Sequence, residues 1–181
     1  CLITFFKMEI ESKEKLKIWV EYHPHYKGLC EKIIKDSVNV RYVAAEEMGN
    51  VAGGPTNVRA LQTLPLNLEN NSSIFLICDW ILTLLKQRFR YDFFIEGVWL
   101  NKYKKGDFTY PHCHMPCAFS FVYFVKCPKG SSPLVFTTSG KRIKAEEGKL
   151  LLFPGFMKHH VPKNRCDDRI VLAGNIRAVL E

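Results

Sequence analysis

The chain has 181 residues, enough for one domain with a sizeable core and short for two. At 47% hydrophobic and 24% charged it has the composition of an ordinary folded protein, and no apolar run is long enough to cross a membrane. A formal net charge of +8 invites a nucleic-acid reading, but the lysines and arginines are dispersed without a dense basic run, so charge alone points to no nucleic-acid partner.

The opening CLITFF is apolar but too short for a signal peptide, and acidic residues follow quickly, so a cytoplasmic protein is expected. A first residue of Cys1 in place of Met suggests a processed, trimmed or partial start. After Pro24, residues Tyr26, Leu29, Cys30, Ile33 and Ile34 recur at spacings of three and four, which predicts a short amphipathic helix. The pairs Gly49-Asn50 and Gly53-Gly54 with Pro55 predict a surface loop, and residues 56–64 alternate as a strand. Ser72 and Ser73 read as N-caps of a longer helix whose stripe of Ile74, Ile77, Cys78, Ile81, Leu84 and Leu85 is explained by core packing.

From about residue 91 the texture changes to short β-rich runs at 93–103, 117–126, 133–138, 141–145, 149–153, 159–161 and 169–178, separated by Gly and Pro turns. This pattern predicts a mainly β, α+β fold of sandwich or jelly-roll type, with the preceding helices packed on the outer face of one sheet. The expected organisation is a single domain over residues 1–181, with a helical support region at 1–92 and a jelly-roll core at 93–181.

Four of the six histidines fall in two tight clusters, His112-Cys113-His114 and His159-His160. In a strand, residues i and i+2 share a face, so His112 and His114 can converge on one ion while Cys113 points away. A third ligand from far along the chain would complete one face of a coordination sphere and leave positions open for water, oxygen or a cosubstrate. Against this stands the plainer reading of packed strand histidines, since a lone His-x-His is weak evidence. The seven cysteines are odd in number and lack CxxC pairs, which argues for free thiols rather than a disulfide framework or zinc ribbon. Cys113 and Cys117 lie near histidines but have no Asn or Asp orienter in sequence, so a cysteine nucleophile is discounted.

The block WLNKYKKGDFTYPHCH at 99–114, the apolar FSFVYFV at 119–125, the block GKLLLFPGFMKHHVP at 148–162 and the following Arg169-Ile-Val resemble the iron(II)- and 2-oxoglutarate-dependent oxygenases, in particular their prolyl-hydroxylase-like branch. The resemblance covers about the C-terminal half. It implies a double-stranded β-helix, with His112 as first metal ligand, His159 as distal ligand and His160 as its rival. It also implies that Arg169 grips the far carboxylate of 2-oxoglutarate, where a planar guanidinium suits bidentate binding, and that Tyr103 donates a hydrogen bond to the same cosubstrate. Three departures stand out. His114 occupies the place of the usual carboxylate ligand, which makes zinc a rival to iron(II). Val171 replaces a hydroxyl residue, and Phe124 a second tyrosine. Asp107 is the nearest substitute carboxylate, though it precedes the turn.

The activity implied is hydroxylation of a peptidyl residue or small metabolite. Two alternatives stay open: a three-histidine cupin-like dioxygenase that does not use 2-oxoglutarate, and a non-catalytic metal-binding barrel.

Overall fold

A computed structural model describes residues 16–52 and 56–179. The apolar opening and the predicted Gly53-Gly54-Pro55 loop lie outside the described residues. In chain order the elements are β1 (Trp19–Tyr22), α1 (Tyr26–Ser37), β2 (Tyr42–Val43), α2 (Ala45–Ala52), β3 (Val58–Arg59) and β4 (Leu61–Thr63). A 3-10 turn at Leu68–Asn70 then leads into α3 (Ser72–Arg88). The remaining strands are β5 (Phe93–Tyr103), β6 (Phe108–His112), β7 (Phe119–Lys126), β8 (Leu134–Phe136), β9 (Arg142–Ile143), β10 (Lys149–Pro154), β11 (His159–Val161) and β12 (Arg169–Ala178). No helix among them is long and apolar enough to cross a membrane.

The strands form a seven-stranded sheet, ordered β1-β10-β7-β12-β5-β4-β2, and a five-stranded sheet, ordered β3-β6-β11-β8-β9. Pairing is antiparallel throughout, so side chains alternate between the two faces of each sheet. One face of the larger sheet closes on α1 and α3: Leu100, Phe121, Leu152 and Leu172 pack with Ile33, Ile77 and Ile81. The other face meets the smaller sheet, where Phe124, Leu151, Phe153 and Val171 pack with Phe136 and Val161. The near-continuous apolar run of β7, broken only by the hydrogen-bonded Ser120, follows from this geometry, because a central strand covered on both faces has no solvent side to make polar. The expected jelly roll, with helices outside one sheet, is the fold observed.

Several local expectations are corrected. The helix of residues 72–88 is entered from Asn71, and neither serine caps it. Ser72 instead accepts a hydrogen bond from the Lys32 ammonium at 2.8 Å, and the Ser73 hydroxyl donates to Asp36 at 2.9 Å, so both serines tie α3 to α1. The single strand expected at 56–64 divides at Ala60: β3 joins the smaller sheet beside β6, and β4 joins the larger beside β5. Part of the expected loop before it is helix α2, whose first turn carries Glu46 and Glu47, the charge a helix N-terminus favours. The region before residue 93 is therefore more than helical support, since β1, β2 and β4 extend the larger sheet.

Candidate metal centre

The histidines meet between the sheets because of strand register. His159 on β11 is the cross-strand partner of His112, the last residue of β6, and a register shift follows between His159 and Val161. Here the structure departs from the sequence expectation in one respect: β6 ends at His112, so His114 lies beyond the strand, in the turn that follows. Tertiary hydrogen bonds hold that turn. The His114 N–H donates to the Gly155 carbonyl at 2.7 Å, and the Cys117 N–H donates to the His114 carbonyl at 2.8 Å. Gly155 is needed for this close approach, because a Cβ there would collide with the Cys117 carbonyl oxygen. Cys113, also beyond the strand, is exposed.

One ligand atom from each of His112, His114 and His159 lies within 4.8 Å of the others. Ring centroids are 4.5 Å apart for His112 and His159, 4.8 Å for His112 and His114, and 5.2 Å for His114 and His159. Two of the rings have a fixed tautomer. The His112 Nδ1 is 2.8 Å from the Tyr110 carbonyl, and the His159 Nδ1 is 2.9 Å from the Met157 carbonyl. A carbonyl only accepts, so each Nδ1 carries the proton and each Nε2 keeps its lone pair for an ion. Burial depresses all three imidazole pKa values, His114 to about 4 and His159 to about 3, with neighbouring imidazoles adding to the effect in both. They are neutral at ordinary pH, the state a metal requires.

His160, the rival for the distal position, faces the other way, with its Nδ1 3.0 Å from the Thr137 hydroxyl. Asp107 is not gathered with the histidines; its carboxylate accepts from the Lys104 N–H at 2.7 Å and closes the turn between β5 and β6. Cys117 is buried, and its thiol donates to Glu96 at 3.0 Å; burial, first, and that carboxylate push its pKa up to about 11, which makes it inert.

The same cavity holds Arg169, Tyr103, Thr109 and Asn101. Arg169 opens β12, and its inward direction follows from parity: Ile170 and Leu172 face the helices, Arg169 and Val171 the smaller sheet. Its guanidinium is fully buried, 4.5 Å from the Tyr103 ring and 5.8 Å from the Phe124 ring, yet none of its three nitrogens has a hydrogen-bond partner among the described residues. Two aromatic faces recover up to about 2 kcal/mol each, which does not replace the lost hydration of a buried ion. Tyr103 is the cross-strand partner of Arg169, and its hydroxyl is 2.8 Å from the Thr109 hydroxyl.

Asn101, two residues before Tyr103 on the same face of β5, was not singled out in the sequence. It is buried, and its Oδ1 also lacks a partner among the described residues. The available signal was parity with Tyr103, since both precede the turn that delivers His112.

Three neutral imidazoles with free lone pairs fit a divalent ion, and an unpaired guanidinium fits a carboxylate. Fold and site together define a double-stranded β-helix with a histidine cluster between its sheets. Solved structures that share this fold include the viral collagen prolyl hydroxylase of Paramecium Bursaria Chlorella virus-1 in complex with 2-oxoglutarate, at 18% identity and TM-score 0.66, covering 88% of this chain and 96% of that one. A Pseudomonas putida prolyl-4-hydroxylase superposes with TM-score 0.67 at 15% identity, covering 91% of this chain and 94% of that one. HygX from Streptomyces hygroscopicus, solved with nickel and 2-oxoglutarate, gives TM-score 0.67 at 10% identity, covering 90% of this chain and 83% of that one. No protein-family model and no curated protein matches the chain. At these identities the likeness establishes the fold.

Proposed function

We propose that the chain is an iron(II)- and 2-oxoglutarate-dependent oxygenase, a single domain over residues 1–181 that hydroxylates a peptidyl residue or small metabolite in the cytoplasm. His112, His114 and His159 hold the metal, and Arg169 binds the far carboxylate of 2-oxoglutarate. The observation that carries this reading is the orphaned Arg169 guanidinium in the histidine-lined cavity. A buried cation is retained without a protein counter-ion where a ligand supplies one, and removing one member of a buried pair costs about 3–5 kcal/mol.

Bound metal and cosubstrate would supply the oxygen activation needed to attack an unreactive C–H bond. The protein's part is orientation and exclusion of water. The Tyr110 and Met157 carbonyls fix the His112 and His159 tautomers, and the Gly155 carbonyl anchors the His114 turn. Tyr103 supports the guanidinium with its ring. If Thr109 donates to the phenol oxygen, the Tyr103 proton is free for the cosubstrate. Asn101 presents a further polar group to the same ligand.

The test is anaerobic titration of metal-free protein with iron(II) and then 2-oxoglutarate. The visible charge-transfer band of the chelated complex is expected, and its absence with iron bound rejects the reading. One observation favours a second reading, a cupin-like dioxygenase whose substrate itself chelates the metal: among the described residues no carboxylate joins the three histidines. Stoichiometric succinate during turnover would support the first reading; its absence would support the second. Failure to bind iron, with zinc bound instead, would favour a non-oxidative barrel.

A further inference from the structure

The charge inside the cavity is unbalanced, and the imbalance specifies what else must bind there. Among the described residues, its lining includes three imidazoles and the Arg169 guanidinium but no carboxylate. The nearest acidic groups along the chain are engaged elsewhere. Asp107 closes its own turn on the Lys104 N–H. Glu96 is held by the Arg177 guanidinium at 2.6 Å and by the Cys117 thiol. Asp168, next to Arg169, turns outward to Lys102 at 3.2 Å and Lys126 at 3.8 Å. A divalent ion and Arg169 carry three positive charges, and a 2-oxoglutarate dianion cancels two. One positive charge then remains between the sheets, where the dielectric is low and isolated ions are strongly disfavoured.

We propose that the substrate supplies the missing charge: the site takes a substrate bearing an oxyanion, carboxylate or phosphate, that seats beside the metal. This rests on the reading of the site as a metal and 2-oxoglutarate centre. His114 is the residue that sets the requirement, because a carboxylate in its place would neutralise the cavity without help from the substrate.

The experiment uses the full chain loaded with cobalt(II) and 2-oxoglutarate, which does not turn over and reports ligand binding through its visible absorption. Formate and methyl phosphate are titrated as the two oxyanion probes, with formamide as the neutral control. Either oxyanion is expected to bind the wild-type complex at least tenfold more tightly than formamide, and the preferred one identifies the source of the charge. In His114→Asp, with cobalt(II) and 2-oxoglutarate retained, oxyanion affinity should fall at least tenfold. Equal affinity for formate and formamide in the wild type overturns the proposal, as does a wild type that binds neither oxyanion. Equal oxyanion affinity in the wild type and His114→Asp overturns it too. Should His114→Asp fail to fold, the formate and formamide comparison on the wild type decides alone. If the cobalt and 2-oxoglutarate complex never forms, the oxygenase reading fails and this proposal falls with it. If the complex forms and the oxyanion step fails, only this proposal is lost.

Discussion

On its helix-facing side the larger sheet presents Val98, Leu100, Tyr123, Leu150 and Leu172 to Ile74, Ile77, Ile81 and Leu85 of α3. Apart from the Tyr42 hydroxyl, polar groups on that side find partners: the Thr63 hydroxyl accepts from the Leu100 N–H at 3.1 Å, and Ser73 bonds Asp36. On the opposite side the same strands turn Asn101, Tyr103 and Arg169 inward. Of the five buried side-chain atoms without a partner among the described residues, four belong to Arg169 and Asn101, and the fifth is the Tyr42 hydroxyl. One face is therefore packed mostly with apolar side chains, while the other buries a cation and an amide oxygen that no described residue satisfies. Native interiors satisfy nearly all buried polar groups, so where satisfaction fails is informative about function.

Four predictions press on that contrast, from the largest effect to the smallest. His159→Ala should abolish metal binding, exceeding the roughly 10–100-fold loss typical of an outer-shell change, whereas His160→Ala should leave it nearly unchanged. Calorimetric titration with iron(II) or zinc checks this, and reversed results would transfer the distal role to His160.

The second concerns pH and the metal-free protein. Folded His114 and His159 titrate near 4 and 3, below the roughly 6.5 of an unfolded histidine. Between those values the unfolded chain binds more protons, so stability present above about pH 6.5 is lost as pH falls toward the folded pKa values. Each histidine contributes on the order of 1 kcal/mol per pH unit inside that window. Urea unfolding from pH 7.5 to 4.5 should show the loss, and saturating zinc should deepen it because protons then compete with the metal. A flat profile would mean the imidazoles are solvated rather than buried.

Third, Ile81→Ala on the packed face should destabilise the fold by about 2–5 kcal/mol while the folded protein keeps its metal affinity. Loss of metal affinity in folded protein would show that the two faces are coupled. Fourth, Arg169→Met should raise the stability of the ligand-free protein by about 1–4 kcal/mol, since a buried unpaired cation gives way to an apolar chain between two rings. It should also remove the rise in melting temperature expected of the wild type on adding 2-oxoglutarate. A fall in ligand-free stability would show that the guanidinium is structurally satisfied.

Much of this was legible from residues alone. Strands β5, β11 and β12 match their expected bounds, because they are β-rich runs and turn residues such as Lys105-Gly106-Asp107 after β5, and Pro154-Gly155 before and Pro162 after β11, set off two of them. The pairing of His112 with His114 was readable from spacing, although the reason differed: a turn anchored by Gly155, rather than strand alternation, brings His114 round. Short segments such as β1, β2 and α2 were missed because two to eight residues carry too little periodicity to stand out.

Periodicity, turn chemistry and spacing are local properties, so the chain by itself determined a β-rich sandwich or jelly roll with outer helices and set His112 beside His114; the resemblance to the oxygenases added His159 and Arg169. Cross-strand register is a property of distant partners. The tertiary structure decided that His159 rather than His160 pairs with His112, that residues 56–64 divide between two sheets, and that Arg169 and Asn101 find no partners among the described residues in one cavity. A side chain is satisfied or orphaned only by what the rest of the chain brings to it, and no local pattern records that.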